Sequence, residues 1–120
     1  MLTSIANKLV KFPLKRLEPK SNKAKTTAAV LVILHGDIDD PQLVLTQRAL
    51  HLNSHSGEVA FPGGMWDKAD SDLLQTALRE AYEAIGLDPD SVEPVATLPT
   101  ASPTRRAVHV TPYVLIAKCN

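Results

Sequence analysis

Residues 61–87 read FPGGMWDKADSDLLQTALREAYEAIGL, and this stretch decides the fold. A Pro-Gly-Gly run near its start breaks regular structure, so the first part is predicted to be an ordered loop. Residues 71–86 then show helical periodicity. Asp70 or Ser71 can cap the start of this helix, and Gly86 can end it in a left-handed conformation. The segment therefore predicts a glycine-containing loop that leads directly into one long helix.

The two faces of this predicted helix differ in character. The apolar face consists of Leu74, Ala77, Leu78, Ala81 and Ile85, and the other face of Thr76, Arg79, Glu80, Glu83 and Ala84. We expect the apolar face to pack on a sheet. Glu80 and Glu83 are three residues apart, so their carboxylates are neighbours and need a positive group between them. Mg²⁺ or Mn²⁺ could be that positive group, because both ions favour oxygen ligands. A solvated helix face with an Arg79–Glu83 ion pair explains the same residues, and the spacing alone leaves both interpretations open.

Short apolar segments on both sides of the helix predict β-strands. They cover residues 26–35, 42–48, 59–61, 93–98 and 107–116, and the second is expected to pair with the first. Residues 2–12 predict a short helix, followed by a polar connector over 15–25. Strands around one long helix indicate the α/β (α+β) class, with a mixed sheet between helical layers.

Composition indicates a single globular domain in a reducing compartment. The chain has 120 residues, and its lone Cys119 excludes an internal disulfide. The reducing compartment that a lone cysteine suits is most simply the cytoplasm. The apolar run at 28–34 is too short to cross a bilayer, so we expect no membrane partner. Residues 1–25 hold seven Lys or Arg against Glu18 alone. Such a segment could meet phosphate groups on a ligand, nucleic acid or a membrane surface, but a solvated helix and linker is the favoured interpretation, and we expect no nucleic-acid partner.

The loop and helix together resemble the Nudix box, a glycine loop followed by a helix ending in R-E-hydrophobic-x-E-E-x-G-hydrophobic. The residues that match are Arg79, Glu80, Ala81, Glu83, Gly86 and Leu87, whereas Ala84 stands where the family has a third glutamate. Asp70 and Arg79 are one residue further apart than in most of the family. That spacing, and Asp in place of Glu at position 70, resemble the coenzyme A pyrophosphatase subgroup.

A second motif resembles the signature of the same subgroup. Residues 44–64 read VLTQRALHLNSHSGEVAFPGG, similar to L-L-T-x-R-(S/A)-x3-R-x3-G-x3-F-P-G-G. Asn53 stands where the signature has its second arginine, which weakens a substrate contact there. By this resemblance, residues 26–120 form a Nudix hydrolase domain with its box at about 63–87, after an N-terminal helix and basic linker over 1–25. Family members continue further, so we expect the C-terminal part of the fold to be missing after about residue 117.

The resemblance implies a hydrolase of pyrophosphate linkages in nucleoside diphosphate derivatives. The expected substrate is coenzyme A with its thioesters, and the expected products are 3′,5′-ADP and 4′-phosphopantetheine. It further implies Mg²⁺ or Mn²⁺ as cofactor, Glu80 and Glu83 as catalytic metal ligands, and a backbone carbonyl at Gly63 or Gly64 as a further ligand. A tight turn without a ligand is the other interpretation of these glycines.

The remaining candidates have two interpretations each. Arg79 either orients a helix carboxylate for catalysis or extends into solvent. Arg48 and Gly57 are expected to shape the substrate site, where Arg48 contacts substrate or forms a structural pair. His51 and His55 have metal-ligand spacing only on a helix, which this stretch does not resemble.

Ala84 has no ligand atom, so we expect an intact helix with a weakened metal site. The alanine could be an engineered inactivation, a natural loss or a sequence error. A nucleotide-binding module without turnover is therefore the alternative to an enzyme, and a Nudix hydrolase for another nucleoside diphosphate derivative is a further one.

Overall fold

The computed structural model describes residues 10–19, 27–37, 40–47, 59–101 and 108–118. In chain order its elements are β1 (Thr27–Asp37), β2 (Asp40–Leu43), β3 (Thr46–Gln47), β4 (Val59–Ala60), β5 (Gly63–Met65), α1 (Leu73–Ile85), a 3₁₀ turn (Pro89–Ser91), β6 (Val92–Thr97) and β7 (His109–Ala117). The predicted mixed sheet is confirmed. The described residues contain one α-helix, so a helical layer on each side of the sheet stays a prediction.

Strand β1 is the centre of the main sheet. β7 lies parallel to it from Thr27 to Leu34, and β6 continues the sheet antiparallel to β7. On the other edge of β1, β5 pairs antiparallel with its first half and β2 with its second half. The run of β-branched and apolar residues in β1 suits this central place, because a strand with neighbours on both edges and a helix above it is largely buried. The arrangement brings the glycines of β5 beside β1.

The expected second strand over 42–48 is wrong in extent. β2 ends at Leu43, and the chain makes one further bond to β1, from Val44 N to Ile33 O at 3.2 Å. Beyond that point the edge of β1 is already occupied, since Leu31 N donates to Pro62 O at 2.7 Å. The chain therefore turns away, and β3 pairs with β4 in a separate two-stranded sheet.

Helix α1 packs on the sheet through small residues. Leu74, Ala77 and Ala81 are fully buried in the core with residues of β1 and β7, as expected from the apolar face. Ile85 was placed on the same face, but its side chain is 43% exposed. Residues 82–86 are all exposed, so the last turn extends beyond the packed part of the helix. Thr76, expected on the polar face, is instead completely buried.

The two ends of α1 differ in how well the sequence predicted them. Gly86 ends the helix as expected, with φ 69° and ψ 24°, a conformation that glycine adopts without a Cβ penalty. The start was predicted wrongly, because the N-cap is Asp72 rather than Asp70 or Ser71. Asp72 Oδ1 accepts a 2.9 Å hydrogen bond from Gln75 N. Asp70 is left for another role.

A segment without regular secondary structure over residues 14–17, here called the strap, contacts β6, β7 and the start of α1. The buried Tyr113 hydroxyl donates to Lys15 O at 2.8 Å and accepts from Leu17 N at 3.2 Å. Lys15 N donates to Thr97 Oγ1 at 2.6 Å. The Leu17 carbonyl accepts a 2.8 Å bond from the first N–H of α1. The strap thereby joins β6, β7 and the helix.

Two sequence predictions for the N-terminal region have different outcomes. The polar connector is described up to residue 19, and this described part contains no helix or strand, as expected. The predicted helix over 2–12 falls almost entirely outside the described residues. Within the described ranges, no helix has the length and apolar character needed to span a membrane.

Candidate active site

The loop before α1 is a tight turn that buries the carboxylate of Asp70. Asp70 N donates to Asp67 O at 2.8 Å, and Asp67 N donates back to Asp70 Oδ2 at 2.9 Å. The turn places the Asp70 side chain beside the helix, where it is 4% exposed. There Thr76 Oγ1 donates to Asp70 Oδ2 at 2.9 Å, which accounts for the unexpected burial of Thr76. A buried carboxylate needs partners of this kind and also a cation.

Arg79 supplies that cation and uses all five of its N–H donors. Its Nε and one terminal nitrogen bind Asp70 Oδ1 and Oδ2 at 2.8 and 3.0 Å, a bidentate pair. The same terminal nitrogen also donates to Met65 O at 3.2 Å. The other, NH1, donates to Glu80 Oε1 and Glu83 Oε1, both at 3.1 Å. The guanidinium therefore links the loop to the carboxylates on the helix.

These contacts shift the pKa values of both Asp70 and Arg79. The hydrogen bonds from Arg79 lower the pKa of Asp70 below its usual value, although burial opposes the shift. The hydrogen bonds to Asp70 raise the pKa of Arg79, with a smaller contribution from Glu80. Asp70 is therefore ionised and Arg79 charged at neutral pH. The ion pair is a fixed part of the site.

Glu80 and Glu83 converge on a single point. Both Oε1 atoms contact the same nitrogen, NH1 of Arg79, so the positive group expected between them is present as an arginine. The two side chains differ in exposure, 30% for Glu80 and 58% for Glu83. Within the described part of the chain, the Oε2 atoms have no hydrogen-bond donor. Each carboxylate thus keeps one oxygen without a hydrogen bond among these residues, and that of Glu80 lies beside Gly64.

Gly64 makes room for the Glu80 carboxyl group. A Cβ built on Gly64 would lie 2.5 Å from Glu80 Cδ and 2.7 Å from its Oε2, so a side chain at position 64 would collide with that carboxylate. Gly63 faces the other way. Its Cβ would lie 2.2 Å from the carbonyl oxygen of Ala29 on β1, and its φ is 151°. Gly64 therefore borders the carboxylates, and Gly63 allows β5 to pair closely with β1.

The predicted site residues are brought together in part. Arg79, Glu80, Glu83 and Gly64 are in one place, with Gly63 adjacent. Ala84 is exposed and offers no ligand atom, and no group of three potential metal-ligating side chains occurs among the described residues. Several candidates lie outside the described residues, namely Arg48, His51, Asn53, His55 and Gly57.

Sequence reasoning missed the role of Asp70. The sequence predicts Asp70 only as a possible helix cap, and its spacing from Arg79 indicates only the subgroup resemblance. The structure makes it the buried anchor of Arg79. That spacing was the available signal, because a carboxylate just before a helix and an arginine two turns inside it can meet when the loop folds back.

Comparisons with known proteins relate this chain to one protein family. The sequence model described as NUDIX domain matches residues 25–118. A relative from Salmonella paratyphi B, named as an uncharacterized Nudix hydrolase NudL, is 46% identical over 80 residues, which are 67% of this chain and 41% of the relative. The corresponding Salmonella newport protein matches equally. The chain thus spans about two fifths of the length of these relatives.

Solved structures share the architecture. A Nudix hydrolase from M. smegmatis, RenU, has a TM-score of 0.65 at 22% identity, covering 80% of this chain and 63% of that one. The NUDIX domain of Shewanella oneidensis NrtR, complexed with ADP ribose, has a TM-score of 0.60 at 25% identity, covering 86% and 67%. A C. elegans Ap4A hydrolase has a TM-score of 0.57 at 20% identity, covering 77% and 67%. These likenesses agree with the mixed sheet and helix described above.

Proposed function

Because the chain belongs to the NUDIX domain family, we propose that it is a hydrolase that cleaves the pyrophosphate linkage of a nucleoside diphosphate derivative with the help of a divalent cation. The observation that carries the proposal is the convergence of Glu80 and Glu83 on one cation position beside Gly64. A position that already holds a guanidinium nitrogen between two carboxylates is suited to positive charge. A diphosphate, which carries several negative charges, needs such charge beside it.

The donor set fits a hard divalent cation. Two carboxylates with an available oxygen each are the ligands that Mg²⁺ and Mn²⁺ prefer. Glu80 and Glu83 would hold the ion, with a backbone carbonyl of Gly63 or Gly64 nearby. Once bound, the ion would neutralise the diphosphate and lower the pKa of the attacking water. Two carboxylates are a small set, so we expect weak affinity.

The protein residues have separate tasks in this proposal. Glu80, less exposed than Glu83 and held against Gly64, would accept the proton of the attacking water. Before the ion binds, Arg79 keeps Glu80 in place through the anchor on Asp70. The absence of a side chain at Gly64 leaves the space that the Glu80 carboxyl group occupies. Each task uses a contact present in the fold.

Coenzyme A is the substrate we propose within the class. Its support is the motif over 44–64 and the one-residue-longer spacing between Asp70 and Arg79, both of which resemble the coenzyme A pyrophosphatase subgroup. Arg48 and Gly57 belong to that motif and would shape the site. Two structural neighbours are named for ADP ribose and Ap4A, so a nucleoside diphosphate derivative is the broader expectation.

A second candidate function is nucleotide binding without turnover. Ala84 favours it, because the position where the family has a third glutamate is exposed and carries a methyl group. Calorimetry with coenzyme A would detect such binding, and the absence of product from the same sample would distinguish it from catalysis.

The test is product formation from coenzyme A with Mn²⁺, followed by chromatography of 3′,5′-ADP and 4′-phosphopantetheine. We expect slow turnover by the chain as it stands and at least about tenfold faster turnover by Ala84→Glu, since the number of charged ligands sets divalent affinity. Glu80→Gln should lose about 10²- to 10⁴-fold, as expected for a proton acceptor. Glu93→Gln, an exposed change on β6, is the matched control. The proposal fails if Ala84→Glu releases no product from coenzyme A, ADP ribose or Ap4A.

A further inference from the structure

Arg79 occupies the position between the carboxylates that a metal ion would need. Its NH1 nitrogen is 3.1 Å from both Glu80 Oε1 and Glu83 Oε1. We propose that NH1 is a tethered counter-ion of this pair, and that a divalent cation binds by displacing NH1 while the rest of the guanidinium stays on Asp70. The inference rests on the proposed function and adds a competition within the same site.

The ion pair of Arg79 with Asp70 is stronger than its ion pairs with Glu80 and Glu83. Nε and the second terminal nitrogen bind both oxygens of Asp70, which is 4% exposed. NH1 binds two carboxylates that are 30% and 58% exposed, and water can replace those bonds on release. Exposed ion pairs contribute little, whereas a bidentate pair at a buried carboxylate is costly to break. NH1 is therefore the part of Arg79 that can leave.

The charge of the cluster favours a divalent ion. Three carboxylates, on Asp70, Glu80 and Glu83, face one guanidinium, which leaves a formal charge of −2. Arg79 offsets the repulsion between Glu80 and Glu83 when no ion is bound, but part of its charge is already used by Asp70. A monovalent ion would leave the cluster negative, whereas a divalent ion would neutralise it.

Ala84 makes the competition direct. With a third carboxylate at position 84, a cation could bind partly through that group and leave the NH1 bridge intact. With alanine there, the ion depends on the two oxygens that NH1 contacts and on their Oε2 partners. We therefore expect the affinity of this chain for divalent ions to be set by how readily NH1 departs.

Nuclear magnetic resonance of the arginine side chain tests the displacement in the wild-type chain. The protein is labelled with ¹⁵N and ¹³C and titrated with Mg²⁺, and the Arg79 side-chain signals are assigned through their bonds to the Arg79 backbone amide. We expect rotation about the Cζ–NH1 bond to become faster on Mg²⁺ addition, while the Nε–H signal keeps its position and its protection by Asp70. Mg²⁺-induced shifts at the Glu80 and Glu83 amides with no change at NH1 would overturn the proposal.

Mn²⁺ affinity, read as free Mn²⁺ by electron paramagnetic resonance, gives a second test without turnover. Arg79→Lys keeps a charge for Asp70 but has no second nitrogen to bridge the glutamates. We expect it to bind Mn²⁺ about twofold to thirtyfold more tightly, the range set by losing two partly exposed ion pairs. Arg16→Lys, which alters the ion pair between the exposed Arg16 side chain and Asp72, should leave Mn²⁺ affinity unchanged.

The outcomes separate this inference from the proposed function. Weaker Mn²⁺ binding by a folded Arg79→Lys chain would show that Arg79 only positions the glutamates, and would overturn the competition while leaving the proposed function intact. No Mn²⁺ binding by either chain would overturn both. If Arg79→Lys does not fold, the wild-type titration decides alone.

Discussion

Replacing Asp70 by asparagine should destabilise the protein through the loss of one buried charge. The side chain accepts four hydrogen bonds, two from Arg79 and one each from Thr76 and Asp67. Asparagine keeps the volume but points an NH₂ group at some of these donors. Breaking a buried ion pair costs about 3–5 kcal/mol. Because Arg79 is 32% exposed and can turn towards water, we expect the lower end, about 3 kcal/mol.

Urea denaturation and thermal melting measure this cost. A loss of about 3 kcal/mol in a chain of this length lowers the melting temperature by roughly 10–15 °C. Asp90→Asn is the matched control, since Asp90 is exposed on the 3₁₀ turn and the same chemical change should cost less than about 0.5 kcal/mol. A free energy of unfolding for Asp70→Asn within 1 kcal/mol of the wild type would refute the role of Asp70 as anchor.

The same variant gives a pH dependence with a defined sign. The folded pKa of Asp70 is depressed, so its contribution is fully present above the unfolded pKa of about 3.9 and is lost as the pH falls through the lower folded value. The difference in unfolding free energy between wild type and Asp70→Asn should therefore be constant from pH 7 to about pH 5 and shrink in stronger acid. A difference that stays constant throughout would contradict the argument.

Three further predictions concern the glycines, the strap and the cation. Gly64→Ala should displace the flexible Glu80 side chain and weaken Mn²⁺ binding with little change in melting temperature, whereas Gly63→Ala, which meets backbone, should mainly lower the melting temperature. Tyr113→Phe should cost about 1–3 kcal/mol in urea denaturation, because two strap groups lose a buried partner; the exposed Tyr82→Phe should be neutral. A chelator should abolish any turnover of coenzyme A without lowering the melting temperature, because the Arg79–Asp70 ion pair keeps the helix in place when no metal ion is bound. A large fall in the melting temperature would contradict this.

Elements with a regular period could be predicted from the sequence, and α1 shows both the extent and the limit of this. Its apolar spacing gave the helix and Gly86 gave its end. Its start was ambiguous because Asp70, Ser71 and Asp72 are all capping residues. Arg79 and Thr76 decide which of these residues is the cap, because their hydrogen bonds hold the Asp70 side chain beside the helix. Asp72 is then left as the N-cap. Such long-range pairing is not visible in local sequence.

The glycines of β5 show a second limit. Glycine is depleted in strands, so residues 63–65 were predicted as loop. They form a strand because Gly63 must pass close to β1 and Gly64 must leave space for Glu80. The pair Glu80 and Glu83 was identified from spacing, but the sequence left the group between them open. The fold places the Arg79 nitrogen there, and this includes the Arg79–Glu83 ion pair that the spacing offered as one interpretation.

The strap has a consequence for the order in which the chain can fold. Tyr113 bonds Lys15 and Leu17 across 98 and 96 positions of sequence, and β7 also pairs with β1 in parallel. Contacts between such distant positions are slow to form. During synthesis, residues 14–17 therefore cannot complete their docking until Tyr113 has left the ribosome. The start of α1 gains its neighbour at residue 17 only then, so the helix that carries the glutamates is completed late.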